Sequence, residues 1–132
     1  MGLIFIADDK PMITKLMERQ LQRLGHTVRA FNSVQALYEG ITATASLGFE
    51  FMPNMVIIDG SLHGVRDGFD YAVQLRTQQR IPVIKVILCA SNDIHSDYSV
   101  LAPPYDLRWL SKPYTVEELQ AAIAAEFAKE YV

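Results

Sequence analysis

Residues 55–59 read Met-Val-Ile-Ile-Asp. A short apolar run that stops on an acid suits a strand buried on both faces of a sheet, with its polar residue at the tip. The same signature opens the chain: Leu3–Ala7 is apolar throughout and runs straight into Asp8-Asp9. Between these runs the pattern changes period. Lys10–Leu24 carries Ile13, Leu16, Met17, Leu21 and Leu24 at helical spacing, with Pro11 suited to the first turn and Gly25 as a stop. Thr27–Phe31 reads as a second strand. Asn32-Ser33 offers capping oxygens to a helix carrying Val34, Leu37, Tyr38 and Ile41 that fades before Gly48.

The alternation continues beyond Asp59. Gly60–Asp67 reads as a loop, Gly68–Gln79 as a helix, and Pro82–Ala90 as a fourth strand. Asp93–Leu101 reads as a short helix stopped by Pro103-Pro104, and Leu107–Leu110 as a fifth strand. Thr115 and Glu118 have capping-box spacing before a last helix striped with Leu119, Ala122, Ile123 and Phe127. Phe49, Phe51 and Met52, in the link before Met55, are expected to cover an edge of the core. Strands alternating with helices predict an α/β fold, a (βα)5 parallel sheet with helices on both faces. Ligands of such sheets sit at the carboxyl ends of the strands.

Composition fits one globular domain. The chain has 132 residues, is 50% hydrophobic and carries a net charge of −3. That balance lacks the basic footprint of a nucleic-acid binder. The single cysteine, Cys89, excludes an internal disulfide. No stretch approaches the ~20 apolar residues of a membrane span, and the start has no basic region of a signal peptide. These readings predict a cytoplasmic domain without membrane or direct nucleic-acid contact, with residues 1–132 as one unit and no second, output domain.

The strand tips carry the chemistry. Strand one ends in Asp8-Asp9, strand three in Asp59, strand four at Cys89-Ala90-Ser91, and strand five runs into Lys112-Pro113. Crowded carboxylates need a counter-charge. A hard divalent cation such as Mg²⁺ provides one, and a lysine alongside can neutralise a phosphoryl oxygen. The set reads as a Mg²⁺-assisted phosphoryl-transfer site with Asp59 as nucleophile.

From roughly Leu3 to Phe127 the chain resembles the receiver domain of two-component response regulators. The resemblance rests on Asp8-Asp9, on Asp59 after Val56-Ile57-Ile58, and on Lys112-Pro113, each at its strand end. It implies a flavodoxin-like strand order, 2-1-3-4-5. It implies that Asp59 accepts a phosphoryl group from a histidine kinase or phosphotransfer protein and passes the signal to a downstream protein. Asp8, Asp9, Asp59 and the Ser61 carbonyl are then the Mg²⁺ ligands, Lys112 contacts the phosphoryl group, and Lys112-Pro113 is a cis peptide. Such a domain is a phosphoacceptor, not an enzyme acting on a separate substrate.

The chain departs from the family pattern in places. Cys89 stands where the family has Thr or Ser, and a thiol is a weak hydrogen-bond donor. Trp109 stands at the aromatic switch position. The loop after Asp59 lacks Met-Pro, and Ala102-Pro103-Pro104 replaces a glycine-alanine turn. Plainer readings stand beside these: Asp8-Asp9 as a cap for the first helix, Cys89 as a small core filler, Trp109 as packing, and His63 and His95 as solvated loop residues. Two other functions compete with the receiver. One is a receiver-like module whose binding ignores phosphorylation. The other is a phosphohydrolase of the haloacid-dehalogenase type, which usually needs an acid where this chain has Ser61.

Overall fold

A computed structural model describes residues 2–8, 10–59, 71–75, 84–91, 107–112 and 114–128, with the backbone alone at 49, 59, 90, 91 and 112. The strands are β1 (Leu3–Ala7), β2 (Thr27–Phe31), β3 (Met55–Asp59), β4 (Lys85–Ser91) and β5 (Arg108–Lys112). All pairings are parallel, and the order across the sheet is β2-β1-β3-β4-β5. The expected fold class and strand order are therefore observed.

The helices follow their local signals. α1 (Pro11–Arg23) begins with its proline in the first turn and gives way to Gly25 at φ +94°, a left-handed conformation that glycine adopts without strain. α2 (Val34–Leu47) is capped by Ser33, whose hydroxyl accepts the Ala36 N–H at 3.0 Å. Residues 71–75 are helical, inside the expected Gly68–Gln79 span. The last helix, Val116–Phe127, opens on a complete capping box. Thr115 Oγ1 accepts the Glu118 N–H at 3.1 Å, and Glu118 Oε1 accepts the Thr115 N–H at 3.2 Å.

Strand alternation divides the core into two layers. Phe5, Ala7, Val56, Ile58, Val86 and Leu88 pack with Leu37 and Ile41 of α2 and with Tyr71, Ala72 and Leu75. Ile4, Ile6, Met55, Ile57, Ile87, Cys89 and Leu110 pack on the other face, with Met17 and Leu21 of α1 and Leu119, Ala122 and Ile123 of the last helix. On this second face Glu126 of the last helix is fully buried, and its Oε2 accepts from Arg108 Nε of β5 at 2.7 Å.

Several boundaries differ from the sequence reading. The described part of the fourth strand begins at Lys85, not Pro82, because its ladder starts where Met55 pairs with Lys85. The fifth strand extends through Ser111-Lys112, paired with Ala90-Ser91. Phe49–Phe51 forms a 3-10 turn, and of the three residues expected to cover the core Met52 does so while Phe51 is half exposed. The loop Gly60–Asp67, the helix Asp93–Leu101, His63, His95 and Pro103-Pro104 lie outside the described residues.

Candidate functional site at the strand tips

The two-layer core decides which residues share the site. Asp8 continues the Ile4–Ile6 row of β1. Position 59 continues the Met55–Ile57 row of β3, Cys89 ends the Ile87 row of β4, and position 112 continues the Leu110 row of β5. All four positions therefore belong to the α1 face of the sheet, at its carboxyl edge. The ladder brings them side by side: Asp59 pairs with Cys89, and Ser91 with Lys112.

Asp8 is only 8% exposed. Its backbone N–H donates to the Phe31 carbonyl at 3.1 Å, and its Oδ1 accepts the Lys10 N–H at 2.9 Å. The carboxylate thus fixes the turn that leads into α1 without capping the helix itself, whose N-cap Lys10 has no side-chain cap bond, and it sits at the strand tip. Cys89 is 3% exposed and belongs to the apolar layer, which is the surrounding expected of a core filler, yet it also lines the cleft beside Asp8.

That cleft is floored by Ile6, Ala7, Ile57 and Cys89 and walled by Ile13, Thr14 and Met17 of α1 and by Tyr114. Sequence reading placed Asp8 and Cys89 there but missed the wall. Ile13 and Met17 look like any helical core stripe, and Tyr114 lies beyond the lysine in an unpatterned turn. Trp109 lies on the opposite layer, half-buried against the Leu88 side of the core, with its indole Nε1 enclosed. It is thus packed, as the plainer reading had it. Asp9, Ser61 and Pro113 lie outside the described residues, as do the side chains of Asp59 and Lys112.

Among the described residues this edge offers the carboxylate oxygens of Asp8, held by the Lys10 N–H, and the softer sulfur of Cys89. Oxygen donors of this kind fit a hard cation. A doubly wound parallel sheet with acids at the tips of β1 and β3 and a lysine at the tip of β5 defines a class of phosphoryl-handling signalling domains.

Comparison with known proteins agrees. The model of the response regulator receiver domain matches residues 4–124, and this chain belongs to that family. The DNA-binding dual master transcriptional regulator RpaA of Synechocystis is 32% identical over 95% of this chain and 48% of its own length. The transcriptional regulatory protein TcrA of Mycobacterium tuberculosis is 30% identical over 92% of this chain and 44% of its own. The chain thus spans about half the length of these relatives. Among solved structures, a response regulator receiver domain protein from Clostridium thermocellum superposes with a TM-score of 0.79 at 21% identity, covering 96% of this chain and 94% of that one. The response regulator TrrA of Thermotoga maritima, solved in complex with Mg²⁺-BeF, superposes at 0.75 with 22% identity over 95% of this chain and 98% of that one. No helix among the described residues is long and apolar enough to cross a membrane.

Proposed function

We propose that this receiver domain accepts a phosphoryl group on Asp59 from the phosphohistidine of a histidine kinase or phosphotransfer protein. The observation that supports it most is the shared edge: buried Asp8, the Asp59–Cys89 pair and the Ser91–Lys112 pair on one face of the sheet. A carboxylate oxygen of Asp59 attacks phosphorus, the P–N bond to the donor imidazole breaks, and the released ring nitrogen keeps the electron pair and takes a proton. Lys112 acts as a point charge on the phosphoryl oxygens. Asp8, Asp9, Asp59 and the Ser61 carbonyl are the residues that would hold Mg²⁺, which supplies neutralising charge to the transferring group. Cys89 lends little hydrogen bonding where a hydroxyl would lend more. The domain changes its own Asp59 and turns over no separate substrate.

The curated relatives are transcriptional regulators, and by that likeness this domain works in the cytoplasm and passes its signal to another protein or domain. With a net charge of −3 it makes no direct contact with nucleic acid itself.

Intact mass after incubation with acetyl phosphate tests the reading. We expect one phosphoryl gain in the wild type with Mg²⁺, and none after chelation or in Asp59→Asn. Label that survives Asp59→Asn overturns the acceptor assignment. A folded wild type that takes no label, even from a kinase, overturns the reading in favour of a phosphorylation-independent binding module.

A further inference from the structure

Among the described residues β2 is the outer strand of the sheet, paired with β1 on one side and with no strand on the other. The Thr27 N–H donates to the Gly2 carbonyl at 3.0 Å, and the Phe31 carbonyl accepts the Asp8 N–H at 3.1 Å. Thr27, Arg29 and Phe31 therefore turn their backbone groups toward β1, and Val28 and Ala30 turn theirs away from the sheet. The edge is open: Thr27, Arg29 and Ala30 are exposed and Val28 is half-buried. Such outward N–H and C=O groups are a template for one more strand.

Two rows of side chains flank this edge. Val28 packs with the α1 layer and Ala30 shares its side of the strand, so that row is apolar. The other row centres on Arg29. Its Cζ lies 5.3 Å from the centre of the Phe5 ring and 5.3 Å from that of Phe31. Two aromatic rings thus hold the charge in place, and it has no carboxylate partner among the described residues. A second copy laid antiparallel on the same edge sets Arg29 against Arg29, which like charges oppose, whereas an acid in that place is attracted. We propose that this edge binds an extended segment of another protein in which an acidic residue stands between two apolar ones. An antiparallel strand puts the apolar pair opposite Val28 and Ala30, where each exchanges two backbone hydrogen bonds. It puts the acid opposite Arg29, in the closer non-hydrogen-bonded pair with Cα atoms about 4.5 Å apart.

Two capped peptides test this, Thr-Val-Glu-Val-Thr and Thr-Val-Lys-Val-Thr, each titrated to about 5 mM into the isotope-labelled full chain and followed by nuclear magnetic resonance. We expect the glutamate peptide to bind about fivefold tighter than the lysine peptide. Near saturation it slows amide exchange at Val28 and Ala30 about tenfold. Arg29→Glu reverses the preference, and Arg29→Gln abolishes it, which keeps the test open should Arg29→Glu fail to fold. Methylating both valine nitrogens of the glutamate peptide removes the bonding N–H groups and ends binding. A folded wild type that does not bind the glutamate peptide overturns the proposal. So do equal affinity for the two peptides, slowed exchange elsewhere in place of Val28 and Ala30, a preference unmoved in both variants, or a methylated peptide that binds as well as its parent. No phosphoryl donor is present, so the outcome is independent of whether Asp59 is the acceptor.

Discussion

His26 fastens separate parts of the chain at the base of the sheet with one ring. Its Nδ1 accepts the Gly2 N–H at 3.2 Å, and its imidazole stacks on Phe127 with centroids 5.5 Å apart and planes 6° from parallel. Lys85 Nζ lies 5.9 Å from the centre of the same Phe127 ring. Burial, and next the nearby amino terminus, hold the His26 pKa below its usual value. Protonation also turns both ring nitrogens into donors, so the Gly2 N–H loses its acceptor. The unfolded ring therefore binds its proton at a higher pH than the folded one. The stability from the neutral ring is complete above about pH 6.5 and declines as the pH falls below it. Urea unfolding midpoints at about pH 7.5 and about pH 5 should converge in His26→Gln relative to the wild type. An equal fall in both proteins would count against this role.

Among the elements, α2 and β2 meet through a residue with no side chain. A Cβ at Gly40 would stand 2.6 Å from Cε1 and Cζ of the Phe31 ring. That ring is already fixed, 5.1 Å from the Phe5 ring and under the Arg29 guanidinium at 5.3 Å. Glycine inside a helix usually costs about 1 kcal/mol relative to alanine. Here the contact reverses the sign: Gly40→Ala is expected to destabilise by roughly 1–3 kcal/mol through overpacking, measured by chemical denaturation. A gain in stability would mean that the Phe31 ring yields freely. Nothing local in the sequence announces this contact, since Gly40 interrupts an otherwise ordinary helical stripe. By contrast β1, β2 and β3 were legible to the residue, because each short run stops on or directly before an acid or asparagine. β5 was read too short because Ser111-Lys112 look like loop, and only the ladder to Ala90-Ser91 makes them strand. The tip acids were legible because an acid after a fully apolar strand has few structural reasons to be there. The cleft wall was not, because a side chain that lines a site and one that fills a core share the same spacing.

Across the whole molecule, burial is uneven. β1, β3 and β4 lie inside the sheet and their apolar residues are almost all buried, whereas β2 is an edge strand with Thr27, Arg29 and Ala30 exposed. Amide hydrogen exchange should therefore be slowest in β1, β3 and β4, opening only with global unfolding, and faster in β2 through local opening. Uniform protection of all these strands would contradict this ordering. Arg29 sits in the middle of the exposed strand, where a charge discourages edge-to-edge pairing.

Trp109 is the protein's single tryptophan, and its indole is enclosed against the core, three residues before the lysine at the tip of β5. Ultraviolet emission from this chain therefore comes from one place, a short step from the strand tips. Its colour and quenching register whether β5 keeps its seat, and the molecule carries its own optical gauge without any added dye.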